Sequence, residues 1–288
     1  MSEQGNNVKF EILMSCMHQS DFGIGYKSKV ESDLLIINQC DREGYEEIKV
    51  GNYTWRMIST TERGLSKSRN MALANAKGEI CLLADDDEIF CDGYANNILD
   101  EYEKNKKADA IIFNLNREGK LRQSKYFSFK KPQRIRRGRG YSSCSISFKL
   151  ECVKKNCIRF DERFGSGTQW GAGEDTLFIK SFHDNKMRVY GNPKVIATVF
   201  YGESLWFFGF DEKYYYNSGA FWKEYYGKNA LMRELRFLYY AMRSSKKAKL
   251  SSKEKMRLFR AGARGFKKGI SYTEYKDENS LIDKRNVE

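Results

Sequence analysis

The chain has little proline, almost no histidine and no long apolar run, and each shortage removes a class of protein. Two prolines in 288 residues, beside 41% hydrophobic, 31% charged and 14% aromatic residues, do not fit a collagen-like, mucin-like or disordered chain. His18 and His183 are the only histidines, and the seven cysteines (Cys16, Cys40, Cys81, Cys91, Cys144, Cys152 and Cys157) contain no C-x-x-C pair. A Cys/His zinc site is therefore disfavoured, and the odd set of thiols reads as reduced and cytosolic. No stretch approaches the roughly 20 apolar residues of a membrane span, and the opening MSEQGNNVKFEILMSCMH has no basic segment leading into an apolar one, which disfavours export. Neither a G-x-G-x-x-G after a strand nor a G-x-x-x-x-G-K-[ST] occurs, so the dinucleotide fingerprint and the P-loop are excluded.

What is present in excess is positive charge. Fifty-one Lys and Arg against 38 Asp and Glu give a formal +13. Residues 120–139 hold nine basic and no acidic side chains, residues 228–270 hold fourteen basic and two acidic, and the rest of the chain is net negative. Local basic surfaces point to phosphate-bearing partners such as nucleotides, nucleic acid or anionic lipid, although a lysine-rich face is as often merely solvated.

The length admits one large domain, or one with an appendage. Over the first 115 residues, short apolar runs of strand length (8–15, 34–38, 54–60, 80–84 and 110–113) alternate with helical patterns at 66–76 and 92–104. Ser66 is expected to cap the first of these helices and Gly78 to follow its end. The alternation predicts an α/β fold with an open, mostly parallel sheet flanked by helices, a kind of sheet that binds ligands at the carboxyl ends of its strands. Residues 119–148 read as β-like segments around the basic loop KKPQRIRRGRG, and Asp175–His183 as a helix opened by two acids. Past Tyr201 an aromatic-rich stretch leads to two basic amphipathic patterns. One carries Leu231, Leu235, Leu238 and Met242 on a single face; the other spaces Met256, Phe259, Ala263 and Phe266 by three and four. The expected division is a domain at 1–227 and a basic helical extension at 228–288.

Three local features can carry chemistry. Asp85-Asp86-Asp87-Glu88 follows the apolar run ICLLA, and a buried strand delivering consecutive carboxylates to its end makes a hard-oxygen site suited to Mg²⁺ or Mn²⁺ with a bound diphosphate. In isolation such a run is more often a solvated loop. Glu174-Asp175 opens a helix after the glycine-rich FGSGTQWGAG; acids there also suit the helix dipole, but a carboxylate beside a metal–diphosphate site can accept a proton from a sugar hydroxyl. In RGLSKSRNMAL the helix start offers backbone donors, and Arg69 offers a planar fork for a base or phosphate. The two histidines have no acid or nucleophile at a recognisable spacing and read as structural.

In order, SKSRNMALANAKGEICLLADDDEIF, FDERFGSG and GEDTLF resemble the family 2 inverting glycosyltransferases of the GT-A fold, over about Phe10 to Tyr226. Within that family they are similar to bacterial capsule and exopolysaccharide transferases. The resemblance implies a GT-A-like (Rossmann-like) sheet, a nucleotide-sugar donor that is UDP-linked, a glycan or lipid-linked glycan acceptor, and Mn²⁺ or Mg²⁺ as cofactor. It implies Asp175 as the catalytic base with Glu174 beside it, Asp85 and Asp86 on the donor, and Asp86 and Asp87 on the metal, with Asp85 and Asp87 as the other register. Ser15 and Met17 would touch the nucleoside, Arg69 would lie near the base, and Trp170 would lie on the acceptor side. Asn38 occupies the place where a uracil-reading Asp is usual, and the histidine that some relatives place on the metal is absent. The implied location is cytoplasmic and peripheral to the inner face of the plasma membrane, with an anionic membrane surface as a candidate partner and no nucleic acid expected. Two other classes stay open at this level: a nucleic-acid-binding protein using its basic patches, and a metal-dependent nucleotidyltransferase.

Overall fold

The computed structural model describes residues 8–119, 128–137, 140–201, 209–243 and 250–277. Residues 120–127 and 138–139 of the first basic stretch, 244–249 of the second and 278–288 of the expected extension lie outside the described residues. The chain divides into two units: Met1–Glu162 with Glu174–Glu203, and Arg163–Gly173 with Ser204–Glu288.

The first unit runs β1 (Phe10–Met17), α1 (Gly23–Lys27), β2 (Asp33–Gln39), β3 (Gly44–Val50), β4 (Tyr53–Thr60), α2 (Leu65–Asn75), β5 (Ile80–Asp85), β6 (Glu88–Phe90), α3 (Tyr94–Lys104), β7 (Ala110–Gly119), β8 (Gln133–Arg134), β9 (Ile146–Lys149), α4 (Leu150–Lys155), α5 (Glu174–Asp184) and β10 (Val189–Tyr201). Its sheet has the order β3-β4-β2-β1-β5-β9-β7-β10-β6, with β8 on β10. The pairs β1–β2, β1–β5, β2–β4 and β7–β10 are parallel, while β3, β6, β8 and β9 run antiparallel to their neighbours. The expected mostly parallel α/β sheet flanked by helices is thus what forms.

Near-continuous apolar strands explain it. Residues of period 2 alternate between two cores: Ile12, Met14, Leu34, Ile36 and Leu82 face one, together with Tyr94 and Ile98 of α3. Leu13, Leu35, Ile37 and Leu83 face the other, with Ala72 of α2 and Phe178 and Phe182 of α5. A strand buried on both faces cannot show polar alternation, which is why LLIIN and ICLLA read as solid runs. The strand expected at 54–60 forms as β4, but its edge partner β3 has no such sequence signal, because YEEIKV is polar and mostly exposed. Ser66 does not cap α2; the helix already begins at Leu65, with Gly64 at φ 123° in the capping position two residues before Ser66, its N–H donating to Gln39 Oε1 at 2.7 Å. Beyond the helix end, Gly78 makes room for Glu11, which accepts the Lys77 and Gly78 N–H groups at 2.6 and 2.8 Å and pairs with buried Arg56 at 2.6 Å.

The second unit holds α6 (Glu212–Tyr226), α7 (Ala230–Arg243) and α8 (Ser252–Lys268). The boundary expected at 227 falls inside it, because α6 is bound up with the two later helices. Tyr215 of α6, Phe237 and Ala241 of α7, and Leu258, Phe259 and Ala263 of α8 form one core, with the Phe237 and Phe259 rings stacked at 4.9 Å. The α8 stripe therefore docks within its own unit. Ser251 and Glu254 close a capping box at the start of α8, worth about 1 kcal/mol, and Gly269 ends the helix in the left-handed region. Trp170, expected on the acceptor side, is 2% exposed, stacked on Tyr216 and edge-on to Phe266, so it packs the helices and is closed to a ligand.

The helices α6 and α8 touch backbone to backbone at Gly219 and Gly262, where an added Cβ would fall on the Phe259 and Tyr216 carbonyls. Gly262→Ala is therefore expected to destabilise this unit by about 1–3 kcal/mol, read by denaturant unfolding. An unchanged midpoint would show that the two helices can separate without cost.

Candidate active site

The site is built at the carboxyl ends of β1 and β5, where the strand backbone stops and side chains meet solvent. Ser15 lies opposite Asp85 in the β1–β5 register, and its hydroxyl shares a 2.8 Å hydrogen bond with Ser68 of α2. That bond sets α2 against the strand ends. The next two residues of the helix, Arg69 and Asn70, are both buried and do different work. The Asn70 side chain bonds the Phe160 backbone in both directions (2.8 and 3.0 Å) and donates to Glu162 at 2.8 Å, which fixes the segment FDE.

Arg69 gathers the acids. Its guanidinium is 2% exposed and donates to Asp85 at 2.9 and 3.2 Å, to Ser143 Oγ at 2.6 Å, to Asp175 at 2.8 Å and to Glu174 at 3.5 Å. The Phe160 ring lies 5.4 Å below it. A planar fork can hold two carboxylates from different elements in fixed positions, which an ammonium on a flexible stem does less well. Burial works against the arginine charge, but Asp85, Asp175 and Glu174 outweigh it and raise its pKa.

Asp175 stands in the first turn of α5. One carboxylate oxygen takes Arg69 and the other takes the Ser143 N–H at 3.1 Å. Each oxygen keeps a further acceptor position, and the side chain is 24% exposed, so it can still receive a proton. Burial raises the Asp175 pKa, with Arg69 pulling the other way. Glu174 is pushed up to about 7 by burial first and then by the Asp175 charge, again opposed by Arg69.

The remaining acids form the turn between β5 and β6. Asp86 and Asp87 are exposed there, while Asp85 is committed to Arg69. Asp86 is raised by desolvation and the Asp85 charge, and Asp87 is pushed up to about 6 by desolvation and then by Asp85 and Asp86. Two oxygen-only side chains that resist ionisation because they are partly desolvated and crowded by like charge fit a divalent cation, which offsets both effects. Asp85, Glu88 and Cys144 also bring ligand atoms within 4.8 Å of one another. That cluster suits a hard cation poorly: the Cys144 thiol and the Glu88 carboxyl are both raised well above their usual values, chiefly by burial. The thiol donates to Asp85 at 3.3 Å and Glu88 accepts the Asp85 N–H, so the cluster props the turn.

The structure thus brings Arg69, Asp85, Glu174 and Asp175 into one hydrogen-bonded assembly in the first unit, with Ser15 opposite Asp85 on the neighbouring strand and Asp86 and Asp87 following Asp85 in the turn. Met17 is 45% exposed at the end of β1, open to a ligand. Asn38 is not: it is fully buried, its amide donating to the Gln19 carbonyl at 2.8 Å and to Ser59 at 3.2 Å and accepting the Gln19 N–H at 2.9 Å. It ties the loop after β1 to the end of β2 and has no group left to read a base. Sequence reasoning missed Ser143, which no motif marks: it bridges Arg69 and Asp175 from a single turn of 3₁₀ helix at Ser143–Ser145.

Comparison with solved structures gives S. aureus TarS 1–349 in complex with UDP-GlcNAc at a TM-score of 0.58 and 14% identity, covering 92% of this chain and 93% of that one. TarS 1–349 in complex with UDP gives 0.55 and 12% identity over the same shares. Against the longer S. aureus TarS chain the TM-score is 0.53 at 14% identity, and the match spans 84% of this chain and 44% of that one. No curated protein matches the sequence. A sequence model does: that of glycosyl transferase family 2, over residues 30–153. Those residues run from β2 into α4 and carry Arg69 and the acidic turn, so this part of the chain is similar to glycosyl transferase family 2, within a sheet that has the GT-A architecture.

Proposed function

We propose that the protein transfers a sugar from a nucleotide-sugar donor, UDP-linked, to an acceptor hydroxyl with inversion at the anomeric carbon. The observation that carries this reading is the Arg69 assembly, which holds a strand-end acid and the Glu174–Asp175 pair in one fixed geometry. Two of the similar structures contain UDP-GlcNAc or UDP, which supports a uridine diphosphate donor. The motifs FDERFGSG and GED further support a glycan or lipid-linked glycan acceptor in bacterial surface polysaccharide synthesis on the cytoplasmic side.

Asp175 is the base. It accepts the acceptor proton as the hydroxyl oxygen attacks, and Arg69 and the Ser143 N–H keep its oxygens aimed while that happens. Burial and then the Asp85 charge make this base more willing to take a proton, while Glu174, less exposed and also within reach of Arg69, is itself raised by burial and the Asp175 charge. One displacement inverts the centre, so an α-linked donor yields a β-linkage. Asp86 and Asp87 would hold Mn²⁺ or Mg²⁺, which when bound supplies charge stabilisation to the departing diphosphate. Asp85 orders the turn that presents them through Arg69 and Cys144.

Donor hydrolysis measured over a panel of nucleotide sugars is expected to require a divalent cation and to fall by at least about a hundredfold in Asp87→Ala. Full activity in EDTA would overturn the metal role. Asp175→Asn is expected to keep nucleotide binding and lose transfer, since the amide preserves shape but accepts no proton; normal turnover would move the base to another residue, Glu174 first. The raised carboxyl pKa values also set a pH dependence. The base works only ionised and the Asp175 pKa is raised, so kcat/KM is expected to climb with pH above the ordinary aspartate range of about 4 and then level, and a rise lying at or below that range would exclude a base of this kind.

A further inference from the structure

Helix α7 has two apolar sides with different fates. Phe237 and Ala241 are buried in the core of the helical unit. Leu231, Leu235, Leu238 and Met242 recur at helical spacing on the other side and are 70%, 52%, 48% and 64% exposed, with Met232 and Tyr239 also exposed on the flank. Six large apolar side chains in the open along 14 residues form a patch that soluble surfaces normally cover.

Beside this helix lies a cationic pocket of about 210 Å³, lined by Lys223, Arg233, Arg260, Arg264 and Lys267 with Glu234 as the only acid. Glu234 neutralises Arg260 at 2.9 Å, and the other four cations exceed the acids present. The Arg233 Nε is buried without a hydrogen-bond partner, and Lys223 is lowered by burial and then by Lys267 and Arg233. The pocket carries positive charge that the fold itself does not balance. Lys253, Arg257 and Lys268 extend the basic surface along the exposed side of α8.

We propose that this face of α7 seats the helical unit on an anionic lipid surface, the leucine row entering the acyl boundary and the pocket receiving lipid phosphate. An amphipathic helix with a basic flank binds in the interface plane by that combination. The helix cannot cross: 14 residues reach about 21 Å against a hydrocarbon core of about 30 Å, and no described helix is long and apolar enough to span a membrane. A second copy of the chain fits the patch less well, because pairing two such faces would bring two cationic pockets together. The two stripes on α7 and α8 read alike in sequence, but only the one on α7 is left open for this role. The proposal stands apart from the catalytic reading, since none of its residues belongs to the Arg69 assembly.

The test is cosedimentation of the full chain with phosphatidylglycerol/phosphatidylcholine vesicles and with phosphatidylcholine alone. Binding to the anionic vesicles at low salt is expected, with release as salt rises past about 0.5 M. Leu235→Glu with Leu238→Glu should weaken binding at least about tenfold, and Arg264→Glu with Lys267→Glu should remove the preference for anionic lipid. Donor hydrolysis and the circular dichroism spectrum of both variants should match the parent, which separates lost docking from lost folding. Equal binding to neutral and anionic vesicles, undiminished binding by the leucine variant, or no vesicle binding with a dimer that Leu235→Glu dissociates would each overturn the proposal.

Discussion

One buried guanidinium sets the order of the catalytic unit. Arg69 has almost no contact with water, and an unpaired charge in that position would cost several kcal/mol. Its partners are therefore obligatory. Asp85 comes from the end of β5, Glu174 and Asp175 from the start of α5, and Ser143 from the turn before β9, so three separate segments close on a single side chain of α2. Removing any one would leave the others with unmatched charge or an unmatched donor. The neighbouring Asn70 serves the same end by neutral hydrogen bonds, holding the FDE segment against α2. Arg and Asn sit next to each other in the motif because one collects charge and the other collects backbone.

Much of this was legible in the sequence. Solid apolar runs marked β1, β2 and β5; the acidic run after ICLLA marked a strand end; and the acid pair after a glycine-rich loop marked the start of α5. What escaped was whatever depends on where side chains of distant segments point. Asn38 stands at the right place on the right strand, yet its amide is consumed by Gln19 and Ser59, which no spacing reveals. Ser143 sits in a serine-rich stretch without a pattern and becomes essential only because Arg69 needs another acceptor. Trp170 lies in a glycine-rich loop of the kind that surrounds ligands, but its ring is taken up by Tyr216 and Phe266.

The helical unit shows the same limit in a simpler form. The apolar rows of α7 and α8 have the same period and similar basic flanks, and periodicity alone gives them one fate. Packing gives them two. Gly219 and Gly262 let α6 and α8 approach until their backbones touch, which buries the α8 row and leaves the α7 row on the outside. Even the Lys255 ammonium is buried in this core, lying 5.6 Å from the Tyr215 ring centre in place of a carboxylate partner.

Charge balance links the fold of the catalytic unit to its chemistry. Three carboxylates share one arginine, and two more stand in the adjoining turn, so the strand ends carry more negative charge than the protein neutralises. Burial first, and then this crowding of like charge, raise the pKa values of Asp86, Asp87, Glu174 and Asp175. A carboxyl whose pKa rises on folding is most favourable to the fold when protonated; its penalty grows as pH climbs from the unfolded value, about 4.3 for Glu, through the folded one. At neutral pH the site is thus held together against its own repulsion, with Arg69 supplying the counterweight. On the proposed reading, the same excess would give a base that takes a proton readily and a turn that gains from a cation, so the arrangement that strains the fold would be the one that suits glycosyl transfer.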